Sequence, residues 1–181
     1  MVCLGNICRS PMAEGILRKK AFDKGINIEI DSAGTGDCHV GEHPDKRAVE
    51  TMAKCGIDIS DLRARQFTVT DFDEFDEIYA MDDSNYKNIL SLSRNELDES
   101  KVTMILNLTN EGENRSVPDP YFGGLDGFDK VYYMLDDACE VISSVSIEAV
   151  VAPSTDVLVD ELTELNGKVA TEATLEAARV L

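Results

Sequence analysis

Apolar residues along the chain fall into short blocks with two different periods. Residues 26–34, INIEIDSAG, alternate apolar and polar positions and are rich in β-branched side chains, which predicts a strand running into a glycine-rich loop. The runs DEIYAMD (76–82) and VTMILNL (102–108) are nearly continuous apolar stretches of strand length, the pattern of strands covered on both faces. Between them lie helical patterns. Residues 10–24 read as a helix with Ser10 as N-cap and Pro11 at the first helical position. A second helix opens at Pro44, runs to about Lys54 and is closed by Gly56. A third spans about Ser84 to Leu92, and a last one about Leu125 to Ser143, after the loop NEGENRSVPDPYFGG. This alternation of strands and helices predicts a parallel α/β sheet.

At 181 residues, 43% of them apolar, the chain has the length and composition of one soluble domain. No run is long and apolar enough to cross a membrane, and Met1-Val2-Cys3 leaves no room for a signal region, so a cytoplasmic location is the default expectation. Five cysteines at positions 3, 8, 38, 55 and 139, with no CxxC pair, fit free thiols better than a disulfide framework or a zinc site. A net charge of −18 argues against nucleic acid or anionic membrane as partners. An anionic substrate would have to be attracted locally.

The stretch VCLGNICRSP, residues 2–11, has the means to do so. Cys3 and Arg9 are separated by five residues and followed at once by a helix. A loop of that length, between a strand end and a helix N-terminus, curls its backbone N–H groups toward one point, and the helix dipole adds positive potential there. Arg9 offers a planar fork of donors to phosphate oxygens. Gly5 and Asn6 tolerate the left-handed backbone that such a curl demands. The same field favours the thiolate of Cys3, making it a nucleophile, with Ser10 placed to donate a hydrogen bond to its sulfur.

These residues resemble the low-molecular-weight protein tyrosine phosphatase family, and DSAGTGD (31–37), RARQFT with DFDEFDEIYAMDDSN (63–85) and DPYFGG (119–124) extend the resemblance over residues 2–146. It implies a three-layer α/β fold of the phosphotyrosine protein phosphatase I type, a four-stranded parallel sheet flanked by helices. It also implies Cys3 as nucleophile, Arg9 as phosphate ligand and Asp119 as general acid and base, acting through a cysteinyl-phosphate intermediate without metal or organic cofactor. Leu4, Gly5, Asn6, Ile7, Cys8 and Ser10 would form the phosphate loop, with Asn6 bonded to a supporting Ser32. Tyr121 and Phe122 would wall an aryl pocket. Ile7 stands where the arginine-phosphatase branch usually has threonine, which favours phosphotyrosine. Cys8 is a candidate for a protective disulfide with Cys3 under oxidation. The implied partners are phosphotyrosine-containing proteins, with inorganic phosphate as product, and the expected state is a monomer.

Three features depart from the family pattern. Cys38 occupies a loop position that is usually aromatic, and the nearby His39 and His43 read as solvated loop residues. Only Met1 and Val2 precede Cys3, so the first strand is shortened; either the true start lies upstream, or the stub is tolerated, or the run IEAVVA (147–152) supplies the missing pairing. Residues 147–181 are an acidic extension of unknown role, with seven acidic and two basic residues. The alternatives are an arsenate reductase of related fold, which needs a distal cysteine pair, and a phosphotyrosine-binding or redox-sensing module without turnover.

Overall fold

The computed structural model describes residues 1–151 and 178–181, with side chains described up to Ser144 and again from Ala178. Five strands and six helices come first along the chain: β1 (Val2–Cys3), α1 (Arg9–Lys24), β2 (Ile28–Ile30), β3 (Ala33–Gly34), α2 (Lys46–Lys54), α3 (Asp71–Glu74), β4 (Ile78–Ala80), α4 (Asp83–Leu90), α5 (Glu96–Ser100), β5 (Val102–Met104) and α6 (Leu125–Val151). A sixth strand, β6 (Ala178–Val180), follows. Strands β3-β1-β4-β5 form a four-stranded sheet in that order, all pairs parallel. Apolar side chains cover both faces. One cluster joins Met12, Ile16 and Leu17 of α1 to Phe128, Val131 and Leu135 of α6; the other joins Val2, Ile78 and Ala80 to Phe67, Phe72 and Ile89. The result is the expected three-layer arrangement, with β4 fully buried, as its unbroken apolar run predicts.

The order matters for function because β1 has β3 on one side and β4 on the other. The connections leave β1 in opposite directions, which opens a crevice at its carboxyl end. Cys3 is the last residue of β1, and so it faces that crevice.

Several elements differ from the sequence expectations, each for a local reason. The first helix begins at Arg9 with Cys8 at the cap position, and no side chain caps it. Ser10 lies inside the first turn, where its hydroxyl is committed elsewhere, and Pro11 fits that turn because its missing N–H would have no intrahelical partner there. The second helix starts after Asp45, whose carboxylate accepts from the Arg47 amide at 2.8 Å. Residues 102–108 do not stay extended: after Met104 the chain tightens into a 3₁₀ turn over Ile105–Leu108, burying Ile105 and Leu106.

The boundary expected at residue 146 falls inside α6, which runs to Val151, so the run beginning at Ile147 continues a helix rather than a strand. The missing pairing comes from elsewhere. Strand β6 lies parallel to β2, with Ala178, Arg179 and Val180 opposite Ile28, Glu29 and Ile30, and Val180 bridges to Glu77 beside β4. The sequence also suggests two weakly amphipathic segments, around Val157 to Leu165 and Val169 to Leu181; residues 152–177 lie outside the described residues, and the end of the second segment is β6.

Gly15 marks the closest approach of α1 to its surroundings. A Cβ there would come 2.4 Å from Ile59 Cγ2 and 3.2 Å from Ile57 Cγ2. In an exposed helix, Gly→Ala gains about 1 kcal/mol, whereas forcing a methyl group into a packed core costs about 1–3 kcal/mol. Ile59 is β-branched and buried, so it has little freedom to swing away. Gly15→Ala is therefore expected to lower the urea midpoint at unchanged m-value; a raised midpoint would show that helix propensity wins.

Candidate active site

The segment between β1 and α1 is shaped by what binds its carbonyl oxygens. Cys3 O accepts from the Thr35 amide at 2.8 Å, Leu4 O from the Gly36 amide at 2.8 Å and Ile7 O from the Asp45 amide at 2.7 Å. In a trans peptide the following N–H points opposite to the C=O, and there is no cis peptide among the described residues. Pulling these three carbonyls outward therefore turns the amides of Leu4, Gly5 and Cys8 to the inside of the curl. The uncapped first turn of α1 adds its own free N–H groups at the same place. This construction needs Gly34 to pass very close, since a Cβ there would meet Leu4 O at 2.8 Å and Asn6 N at 3.1 Å.

Asn6 is the internal brace. It is buried with φ of 54°, a left-handed conformation that asparagine tolerates better than most residues. Its Oδ1 accepts from the Arg65 amide at 2.9 Å, while Nδ2 donates to Ser10 Oγ at 2.9 Å and to Ser32 Oγ at 2.8 Å. Each hydroxyl carries one proton, so accepting from Asn6 leaves it free to donate onward. Ser32 donates to the carboxylate of Glu14, which burial pushes above its ordinary pKa. Ser10 has Cys3 Sγ at 3.0 Å and Ala33 O only at 3.4 Å, so its proton is aimed chiefly at the sulfur.

Arg9 is almost wholly buried and held between two carboxylates. Nη1 donates to Asp82 Oδ2 at 2.6 Å and to the Val117 carbonyl at 3.1 Å, and Nη2 donates to Asp119 Oδ2 at 2.8 Å. A buried guanidinium requires such partners. Asp82 also caps α4, accepting from the Asn85 amide at 2.7 Å, so it is fixed at both oxygens. Asp119 is more open, and its other oxygen accepts from the Tyr121 amide at 3.0 Å.

These groups border a cavity of about 250 Å³, lined by Cys3, Leu4, Gly5, Ile7, Cys8 and Arg9 on the loop side. Asp119, Tyr121 and Phe122 line it from the opposite loop, and Gly36, Cys38 and His39 from a third. Tyr121 and Phe122 meet edge to face with ring centroids 5.1 Å apart. Of the residues predicted from the sequence, Cys3, Leu4, Gly5, Ile7, Cys8, Arg9, Asp119, Tyr121 and Phe122 line this cavity, and Asn6, Ser10 and Ser32 stand behind it in the hydrogen bonds described above. Cys8 is buried under the curl, where burial pushes its thiol up to about 12. His39 departs from the expectation of a solvated loop residue: Nδ1 pairs with Glu42 Oε2 at 2.8 Å, and its ring packs against Gly5, where a Cβ would approach Cδ2 to 2.9 Å.

Known proteins share this sequence pattern and this fold. The family described as low molecular weight phosphotyrosine protein phosphatase matches residues 1–151. The chain belongs to this family. A Synechocystis sp. protein carrying the name of a low molecular weight protein-tyrosine-phosphatase is 49% identical over 140 residues, 76% of this chain and 88% of that one. The low molecular weight phosphotyrosine protein phosphatase of Schizosaccharomyces pombe is 44% identical, over 75% of this chain and 88% of its own. Among solved structures, a protein tyrosine phosphatase of Entamoeba histolytica superposes with a TM-score of 0.75 at 35% identity, covering 82% of this chain and 94% of that one. The arginine phosphatase YwlE superposes with a TM-score of 0.72 at 26% identity, over 80% of this chain and 91% of its own.

Two members of the site are absent from the sequence reading. Asp82 lies within a quoted motif but carries no local sign that it reaches Arg9, 73 positions away. Arg47 ties α2 to the loop after Asp119: it donates to the Gly123 carbonyl at 3.1 Å, and its guanidinium lies 5.7 Å from the Tyr121 ring centre and 4.8 Å from that of Phe128. Their signal is three-dimensional: a buried arginine demands a carboxylate, and an exposed aromatic loop demands an anchor.

Asn6→Ala removes three hydrogen bonds and places alanine in left-handed backbone. With about 1–3 kcal/mol for each buried group left unsatisfied and about 1–2 kcal/mol for the backbone, a loss of several kcal/mol is expected. Urea denaturation measures it. A double-mutant cycle with Ser32→Ala should give a coupling above about 0.5 kcal/mol, as for contacting residues; additive losses would mean that the brace does not act as a unit.

Proposed function

We propose that this chain hydrolyses phosphotyrosine in proteins, and small aryl phosphates, by way of a phosphorylated Cys3. The observation that carries this reading is the line of contacts from Ser10 to Cys3 Sγ and, across the same cavity, from Arg9 to Asp119. The phosphoryl oxygens sit against the inward amides of the curl and the Arg9 fork, with Asp82 as the lasting partner of the guanidinium. Asp119, bound to Arg9 through one oxygen, yields Nη2 to the phosphoryl group on substrate entry.

In the first step Cys3 Sγ attacks phosphorus, an S–P bond forms and the P–O bond to the phenol breaks, with Asp119 supplying the proton the leaving oxygen takes. In the second, Asp119 accepts a proton from water as its oxygen attacks phosphorus. The S–P bond breaks, inorganic phosphate leaves, and the Ser10 hydroxyl donates to the departing sulfur. Cys3 lies at the bottom of the cavity, almost without exposure, so a flat aryl group is needed to carry a phosphate that far. Tyr121 and Phe122 at the rim offer it stacking surfaces, and the apolar, buried Ile7 supports an aryl ester over a phosphoguanidine. The buried thiol of Cys8, held protonated, is a reserve partner for Cys3 after oxidation rather than a second nucleophile. Cys139 is buried in the core against the Ala13 carbonyl, which argues against its use as a shuttle cysteine in arsenate reduction.

Steady-state hydrolysis of p-nitrophenyl phosphate and phenyl phosphate tests this. Cys3→Ser is expected to abolish turnover of both. Asp119→Ala should lower kcat by about 10²–10⁴-fold on phenyl phosphate and by less on p-nitrophenyl phosphate, whose leaving group needs a proton less. Equal losses on the two esters would remove Asp119 from the acid role. Turnover of phosphoarginine at a rate matching that of phosphotyrosine would overturn the substrate assignment.

A further inference from the structure

The ladder of hydrogen bonds around β1 continues past its first residue. On the β2–β3 side the amides of Asp31, Ala33 and Thr35 donate in turn to the carbonyls of Val180, Met1 and Cys3, at 3.0, 3.0 and 2.8 Å. The acceptors advance by two positions at each step, provided that Met1 is counted as the residue after Leu181. On the β4 side Leu181 accepts from the Tyr79 amide at 2.8 Å and donates to the Glu77 carbonyl at 2.8 Å, and Val2 then accepts from the Met81 amide at 3.0 Å. The step is again two. Residue pairing agrees: Val180 lies opposite Ile30 and Val2 opposite Ala33, which leaves places for Leu181 and Met1 and for nothing more.

Side-chain alternation gives the same count by a different route. Val180, Met1 and Cys3 belong to the core cluster under α1 and α6, whereas Leu181 and Val2 belong to the cluster on the other face. A one-residue slip would send every side chain to the wrong face. We propose that residues 178–181 are the first half of the strand that carries Cys3, supplied from the far end of the sequence, and that they act as positioning residues for the phosphate-binding loop. The catalytic half of this inference rests on the phosphatase reading; the pairing half does not.

The physical need is plain. A two-residue strand has too few ladder bonds to locate Cys3 by itself, and the segment 178–181 adds five more: the amides of Asp31, Asp76, Glu77 and Tyr79 donate to it, and the Leu181 amide donates to Glu77. Without it the amides of Asp31 and Tyr79 and the carbonyl of Glu77 would lose their partners beside a buried core. The junction also sits in a dry place, with Met1, Val180 and Leu181 all buried.

The test compares four full-length proteins: the natural chain, Val180→Asp, Arg179→Ala, and a rearranged chain in which Leu181 is joined directly to Met1 and new ends are opened within residues 152–177. Hydrogen exchange at Asp31 and Tyr79, and kcat and KM for p-nitrophenyl phosphate, are read for each. Val180→Asp should lose amide protection and lower kcat at least tenfold with a smaller change in KM. Arg179→Ala removes only an exposed side chain paired with Glu29 and keeps the backbone bonds by which this strand positions the loop, so it should stay within twofold. The joined chain should keep full activity and protection and melt at a higher temperature. An inactive or unfolded joined chain, or a Val180→Asp protein with the natural kcat, overturns the proposal. If the natural chain hydrolyses no phosphate ester, yet Asp31 and Tyr79 are protected and lose protection in Val180→Asp, the phosphatase reading fails and the strand assignment stands.

Discussion

The direction of three carbonyl groups governs the chemistry of this molecule. Because Thr35, Gly36 and Asp45 hold the oxygens of Cys3, Leu4 and Ile7 on the outside, the peptide planes between them have no choice but to present N–H groups inward. Everything else in the site serves or exploits that constraint. Gly34 is small so that the outer segment can come within reach, Asn6 accepts a left-handed turn so that the curl can close, and the start of α1 is left without a side-chain cap. A conventional N-cap at Ser10 would have satisfied the helix and cost the sulfur its donor.

The same design reconciles a strongly acidic protein with an anionic ligand. A net charge of −18 repels anions at long range, but salt screens such fields beyond about 10 Å, and the potential inside a cleft is set by its walls. Here the walls are peptide dipoles, a helix N-terminus and one buried guanidinium. Asp82 and Asp119 neutralise Arg9 in the absence of another anion, which keeps a buried cation from being an expense to the fold.

Much of this was legible in the sequence, and what escaped it has a common cause. Cys3, Arg9 and Ser10 could be placed because the chemistry is local, with loop, helix start and donors all within eight residues. The runs at 76–82 and 102–108 mark β4 and β5 because strands buried on both faces need unbroken apolar side chains, although the second run outlasts its strand: the chain turns once Met104 has been paired. Asp82 and Arg47 escaped because their partners lie far along the chain and neither breaks a local pattern. Ala178–Leu181 escaped for a sharper reason. Four residues are too few to show a period, and a strand in the middle of a sheet is defined by its two neighbours rather than by itself.

A strand divided between the two extremes of the sequence also orders events in time. Residues 1–144 hold Cys3, Arg9 and Asp119, yet the position between β2 and the start of β4 is filled only by Ala178–Leu181. Pairing Val180 with Ile30 closes a loop of about 150 residues, a contact of very long sequence separation of the kind that forms late in folding. The phosphate-binding loop is then the last part of the site to be set, and a folding chain holds Cys3, Arg9 and Asp119 before it holds an active site.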